Sequence, residues 1–252
     1  MDTSDDAVLG GRLLVRQPLK GHRVGHDAIL LAAATGGRGG ERAVELGAGV
    51  GAAGLALAQR VGGLEVALVE IDPALVALAA HNIARNGLSG RMRALAADVG
   101  DADALAAAGL VPGAADRVLM NPPFNDPARH NVSPDAGRRR AHVAAPGLMP
   151  LWVACAARLL KPGGVLTLIW RADAAGDVLD ALRDGFGDVA VLPVLPRPQA
   201  APIRVLVRAV KGAAAAVRTL PPLELNDSSG RPSVAAEAVL RGGEALPLAA
   251  IA

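Results

Sequence analysis

From Arg42 onward short apolar runs alternate with helical patterns, and this alternation limits the kind of core the chain can build. The order reads strand 43–46 (AVEL), a glycine turn, helix 50–61, strand 65–70 (EVALVE), helix 73–86 with Pro73 in its first turn, and strand 92–96. Helix 101–108, strand 115–120, a long loop 121–146, helix 147–160, the break Lys161-Pro162-Gly163-Gly164, strand 165–170 and helix 174–185 continue it. Strands separated by helices pair in parallel through right-handed crossovers, which predicts an α/β fold with helices on both faces of the sheet. Two last strands, 188–194 and 203–209, flank a proline-rich stretch.

The flanks are less regular. Residues 8–27 alternate apolar and basic side chains between glycines and prolines, which predicts a short strand pair or extended arm, with Asp27 placed to cap the helix beginning AILLAAA. The run Thr35-Gly36-Gly37-Arg38-Gly39-Gly40 is a loop. Beyond Lys211 the chain is polar and turn-rich, with one helical pattern from Val234 to Leu240. With 52% apolar residues among 252 there is ample material for a core. The expectation is a single domain: arm and helix 1–40, core 41–210, and a tail 211–252 packed on its edge.

Composition narrows the function. The acidic start MDTSDD lacks the basic and apolar parts of a signal peptide, and the apolar runs are interrupted within about a dozen residues, so a soluble cytoplasmic protein with no membrane partner is expected. The one cysteine, Cys155, excludes an internal disulfide, and its apolar helical surroundings predict a buried thiol. The histidines fall singly, so no metal site is expected. Net charge is only +2, but Arg138, Arg139 and Arg140 follow the Asn-Pro-Pro stretch, and Arg197, Arg204, Arg208, Lys211 and Arg218 cluster late. That distribution suits a basic rim for nucleic acid, and equally the solvated arginines of an arginine-rich chain.

The first core strand ends in Glu45-Leu46-Gly47-Ala48-Gly49-Val50-Gly51, a tight strand-to-helix turn in which residues without Cβ let the backbone approach a ligand. Gly49 to Gly54 also fits GxGxxG, and Glu70 lies about twenty residues on, as a nicotinamide-binding fold requires. Glu45 argues against a pyrophosphate there, because like charges repel, and suits a cationic sulfonium carrying an amino group. Glu70 can accept ribose hydroxyls, Asp72 with Pro73 starts the next helix, and Asp98 is placed for an adenine amino group. The apolar strand Val118 to Met120 then runs into Asn121-Pro122-Pro123-Phe124, where two prolines end the ladder at the carboxyl edge.

Taken in order, ELGAGVG, VEID, AADV and MNPPF resemble the class I S-adenosylmethionine-dependent methyltransferases over residues 9 to 210. Within that superfamily, RQPLKGHRVGHDAILLAA, SPDAGRRRAHV and LPPLELNDSSGRPSVAAEAVLRG are similar to the bacterial tRNA1(Val) adenine-N6 methyltransferase group. The resemblance implies a mostly parallel seven-stranded sheet with a reversed last hairpin. It further implies S-adenosyl-L-methionine held at Glu45, Gly47, Gly49, Gly51, Glu70 and Asp98, bordered by Asp72 and Asn121, with catalysis at Asn121, Pro122, Pro123 and Phe124. The expected partner is RNA, tRNA first, and the expected state a monomer or a homodimer. Phe124 stands where the tRNA enzymes carry Tyr, and the Phe form also resembles guanine-N2 rRNA methyltransferases. A protein glutamine methyltransferase uses a similar turn but needs an N-terminal helical domain, for which the residues before the glycine turn leave little room. A non-enzymatic RNA-binding module and a nicotinamide oxidoreductase are the remaining alternatives.

Overall fold

A computed structural model describes residues 1–21, 23–123, 147–214 and 216–250. Its centre is the β3(Arg42–Leu46), α2(Ala52–Arg60), β4(Glu65–Glu70), α3(Pro73–Arg85), β5(Met92–Ala96), α4(Ala102–Ala107), β6(Ala115–Met120) succession, followed by α5(Leu148–Leu159), β7(Leu160–Arg171), α6(Ala175–Leu182), β8(Phe186–Leu195) and β9(Arg204–Lys211). These strands lie in the order β8-β9-β7-β6-β3-β4-β5, with β9 antiparallel to both neighbours and the others parallel. The sheet is therefore mixed, with the seven core strands and the reversed last hairpin that the resemblance implies.

Side chains alternate between faces along each strand, so the sheet separates two apolar layers. Ala43, Leu68, Leu119, Ile169 and Leu206 pack with α2, α3 and the preceding helix α1(His26–Ala34). Val44, Leu46, Val69, Val118, Met120 and Leu168 pack on the other face with α4, α5 and α6.

Three expectations need correction. The N-terminal strand pair is β1(Thr3–Val8) with β2(Leu13–Pro18), so its first strand is the acidic start TSDDAV, which meets the expected 8–27 only at Val8. Helix α1 begins at His26 with Gly25 as its N-cap, which leaves Asp27 inside the first turn, where its carboxylate meets Arg204 Nε at 2.9 Å instead of capping. The Lys161-Pro162-Gly163-Gly164 stretch does not break the chain: β7 starts at Leu160 and pairs with Ala115, then slips register before Val165 meets Arg117. Gly163 at φ +76° absorbs the irregularity that a side chain would resist.

The tail adds to the sheet. β10(Val217–Thr219) and β11(Leu223–Glu224) pair in parallel with successive stretches of β8, giving nine strands in all. α7(Val234–Leu240) follows, with Ser233 as N-cap accepting from the Ala236 N–H, and α8(Pro247–Ala250) closes the described chain. Val239 and Leu248 of these helices join the apolar layer that contains α1.

Candidate active site

Register sets out the site. Leu46 of β3 pairs with Val69 of β4 on one side and with Met120 of β6 on the other. Gly47, Glu70 and Asn121 are thus the next residues of three adjacent strands, level at the carboxyl edge and spanning roughly 10 Å at the usual strand spacing. Glu70 in turn pairs with Ala96, and the Ala97 N–H donates to the Glu70 carbonyl at 3.1 Å, which brings Asp98 to the far end of the row. This is the edge at which open α/β sheets bind ligands.

The glycine turn is fastened at successive peptides. The Ala48 N–H donates to the Val69 carbonyl at 2.9 Å, the Gly49 N–H to Glu70 Oε2 at 2.8 Å, and the Gly51 N–H to the Ala48 carbonyl at 2.8 Å. Gly47, Gly49 and Gly51 all have positive φ. They differ in what surrounds them. A Cβ on Gly47 would lie 2.4 Å from Trp152 Cη2 of α5, and one on Gly51 would lie 2.6 Å from Leu68 Cδ1, so both are required by the protein's own packing. A Cβ on Gly49 would meet nothing within 4 Å, which makes it the glycine that faces open space. Trp152 has no ligand-binding signature in the sequence; it reads there as an ordinary core residue of an apolar helix.

The acids occupy distinct environments. Glu45 lies on the same face of the sheet as Ala43, beneath α2, where its Oε2 accepts the Gly54 N–H at 2.7 Å. A Cβ on Gly54 would crowd that oxygen at 2.7 Å and Leu68 Cδ2 at 2.4 Å, so this glycine admits the carboxyl under the helix. Burial pushes the Glu45 carboxyl up to about 8, against the lowering effect of the Gly54 N–H and with a further push from the charge of Glu70. Glu70 is 9% exposed, and its other oxygen, Oε1, accepts the Asp72 N–H at 2.9 Å. Asp72 caps α3 through a bond from the Ala74 N–H at 2.8 Å, with Pro73 at the first helical position. Asp98 is exposed and accepts the Gly100 N–H at 2.8 Å.

At the end of the row opposite Asp98, Asn121 is half-buried, yet its Oδ1 is buried and, among the described residues, has no hydrogen-bond partner. A buried amide oxygen of this kind costs stability unless something else bonds it, and such orphans point to a functional role. Pro122 beside it is buried and Pro123 partly so. Phe124, Arg138, Arg139 and Arg140 lie outside the described residues.

The late basic cluster is not a shared rim. Arg208 is 2% exposed and bonds Asp188 at 3.0 Å, Arg204 bonds Asp27, and Lys211 Nζ donates to the Leu160 carbonyl at 2.7 Å. Arg218 reaches the other Asp188 oxygen at 3.3 Å, and Arg197 is exposed. Arg204 and Arg208 share one face of β9 and Lys211 lies on the other, Arg218 comes from β10, and four of the five are held by carboxylates or a carbonyl, which a one-dimensional cluster hides. Cys155 is buried, and burial raises its thiol above the ordinary value. Among the described residues no group of three or more His, Cys, Asp or Glu could hold a metal ion, and no helix is long and apolar enough to cross a membrane.

The arrangement fits a cationic nucleoside carrying an amino acid chain. Carboxylates stand at the ends of β4 and β5, a third lies within β3 beneath α2, Gly49 opens the turn between them, and an unengaged amide acceptor ends the row.

Comparisons with known proteins agree with the geometry. The methyltransferase small domain family matches residues 26–193. The release factor glutamine methyltransferase of Chlorobaculum tepidum is 32% identical over 157 residues, covering 59% of this chain and 52% of that protein. The tRNA1(Val) (adenine(37)-N6)-methyltransferase of Tolumonas auensis is 31% identical over 166 residues, 66% of this chain and 65% of that one. The chain thus spans about half to two thirds of the length of these curated relatives. The crystal structure of a predicted O-methyltransferase from Agrobacterium tumefaciens is 29% identical and superposes with a TM-score of 0.73, covering 87% of this chain and 97% of that chain. With the family matched along two thirds of its length and the sheet order in place, the chain belongs to the methyltransferase small domain family of class I S-adenosylmethionine-dependent methyltransferases.

Proposed function

We propose that the protein transfers a methyl group from S-adenosyl-L-methionine to an exocyclic amine of an RNA base, with adenine N6 in tRNA as the leading substrate. The observation that carries this reading is the buried, unpartnered Asn121 Oδ1 at the strand edge, level with the glycine turn and Glu70.

An exocyclic amine is a poor nucleophile because its lone pair is delocalised into the ring. Two acceptors, Asn121 Oδ1 and the Pro122 carbonyl, can take its two hydrogens, hold the nitrogen towards tetrahedral geometry and aim the lone pair. Proline fixes the second acceptor by fixing the backbone. The bound cofactor supplies an electrophilic methyl group on a sulfonium. As positive charge grows on the attacked nitrogen its protons become acidic, and the same two acceptors favour that charge, so no strong base is required. This chemistry suits an amine better than a hydroxyl, because an amide side chain cannot remove the proton that an alcohol must lose. Phe124 follows in sequence as an aromatic platform for the base.

The cofactor roles follow the row. Glu70 has one further acceptor site on each oxygen beyond its two backbone bonds and is assigned to the ribose hydroxyls. Exposed Asp98 is assigned to the adenine amino group. Glu45, held under α2, offers its second oxygen to the methionine end. Gly47, Gly49 and Gly51 shape the turn, and Asp72 starts the helix that follows Glu70.

The glutamine reading draws on the Chlorobaculum relative and shares the same acceptors, since a side-chain amide nitrogen is also conjugated. The RNA reading is favoured by the recurrence of tRNA1(Val) enzymes from several genera among the relatives and by the flanking motifs of the chain. Purified protein, labelled cofactor and bulk tRNA provide the test. N6-methyladenosine in the digested tRNA is expected; label appearing only in added release factor would overturn the RNA assignment.

A further inference from the structure

Asn82 in the last turn of α3 and Asn86 at its C-cap lie one turn apart, and both address β2 as a neighbouring strand would. Asn86 Oδ1 accepts the Leu14 N–H at 3.0 Å while its Nδ2 donates to the Leu14 carbonyl at 2.8 Å. Asn82 does the same two residues along the strand: Oδ1 accepts the Arg16 N–H at 2.7 Å and Nδ2 donates to the Arg16 carbonyl at 2.9 Å. The spacing works because four residues of helix rise about 6 Å and two residues of strand about 6.8 Å. The N-terminal hairpin is thus docked on α3 through side-chain amides that stand in for backbone.

The two asparagines differ in burial and in their third partner: Asn86, half-buried at the C-cap, also gives its Nδ2 to the Asn82 carbonyl at 2.8 Å. Asn82 is completely buried, and its Nδ2 also donates to the carbonyl of Val50, in the middle of the glycine turn, at 3.1 Å. With two carbonyls facing the nitrogen and an N–H facing the oxygen, the amide has only one satisfied orientation. The peptide that follows Val50 is held at its other end by the Gly51 N–H bond to the Ala48 carbonyl. One side chain therefore joins the backbone of the hairpin to the backbone of the turn. The fastening continues outward: Gln17 Oε1 accepts the Val24 N–H at 2.7 Å and its Nε2 donates to Asp6, tying the segment before α1 to the same hairpin.

We propose that Asn82 is a positioning residue for the cofactor, acting by clamping the Val50–Gly51 peptide to β2, so that the binding-ready shape of the glycine turn depends on the docked hairpin. The inference rests on the reading of that turn as the S-adenosylmethionine site. Asn86 serves as its internal control, because it grips the same strand without touching the turn.

Calorimetric titration with S-adenosylhomocysteine separates the roles. Asn82→Ala is expected to weaken binding by about tenfold or more, the order for removing one buried hydrogen-bond partner, and Asn86→Ala to stay within about twofold of wild type. Asn82→Asp keeps the shape but sets an oxygen against two carbonyl oxygens, so it should bind more weakly than Asn82→Ala; if it does not fold, the alanine pair carries the test. Amide exchange at Gly51 in the ligand-free protein should quicken in Asn82→Ala and not in Asn86→Ala. Wild-type affinity in Asn82→Ala, or an equal loss in Asn86→Ala, overturns the proposal. Failure of the wild-type protein to bind the probe at all would instead defeat the cofactor reading on which it rests.

Discussion

Glu70 closes the glycine turn from the neighbouring strand, its Oε2 accepting the Gly49 N–H at 2.8 Å while Oε1 holds the Asp72 N–H at 2.9 Å. A residue assigned to the cofactor ribose is therefore also a brace for the glycine turn and for the start of α3. Truncation removes both functions together. Glu70→Ala is expected to weaken S-adenosylhomocysteine binding by about 1–3 kcal/mol, the range for a hydrogen bond to a charged group, and to lower the melting temperature as well. Unchanged affinity by calorimetry would remove Glu70 from the site.

The three glycines of the turn should separate under substitution. Gly47→Ala drives a methyl into Trp152 Cη2, at 2.4 Å, from a residue with φ +64°, so a stability loss of about 1–3 kcal/mol is expected in urea unfolding. Trp152→Phe removes the offending corner of the indole, and the double variant should lose less than the sum of the two singles, as contacting residues do. Gly49→Ala has open space for its methyl and only the backbone strain of φ +55° to bear, about 1 kcal/mol. Its methyl would nonetheless occupy the space beside the turn, so cofactor affinity should fall more than stability. Equal behaviour of the two alanine variants in both measurements would contradict this division.

The buried Glu45 carboxyl gives stability a pH dependence. Its value rises from the ordinary 4.5 to about 8 because α2 covers it. For a carboxyl raised on folding, the folded state binds the proton more tightly than the unfolded one. Its contribution is fully present below about pH 4.5 and is lost as pH climbs to about 8, by a total on the order of a few kcal/mol. Glu45→Gln keeps an oxygen for the Gly54 N–H and cannot ionise. In ligand-free protein, urea unfolding at pH 5 and at pH 9 should show wild type losing ground to Glu45→Gln across that interval. A constant difference between the two proteins would place the Glu45 titration elsewhere.

Much of this architecture is legible along the chain, and the misses have physical causes. Strands 65–70 and 115–120 fall where expected, because turns bound them and the apolar runs Val66–Val69 and Val118–Met120 are buried on both faces. β1 escapes because TSDDAV alternates half-buried and exposed positions without an apolar face, so only its pairing with β2 makes it a strand. β10 and β11 are three and two residues long at the sheet edge, too short for periodicity. At the site, the residues proposed to meet a ligand are visible as acids and an amide at or near strand ends. Those that support them are not: Trp152 lies in an apolar helical run, and nothing in the polar stretch HNIARNG marks Asn82 as completely buried.

Asn121 supplies the decisive experiment, because its oxygen is buried without a partner in the ligand-free protein. Removing such an acceptor deletes a desolvated group that nothing satisfies, so Asn121→Ala should leave thermal stability within about 1 kcal/mol of wild type or raise it. Cofactor affinity should stay near wild type, since Glu45, Glu70 and Asp98 hold their places on other strands. Turnover should nearly vanish. One lost transition-state acceptor commonly costs about a hundredfold or more, about 3 kcal/mol, and the alignment of the amine is lost with it. Single-turnover assays at saturating cofactor and tRNA measure the methyl-transfer step directly. A folded, cofactor-binding Asn121→Ala protein that methylates at the wild-type rate would make the Asn-Pro-Pro turn a structural feature and remove the mechanism built on it.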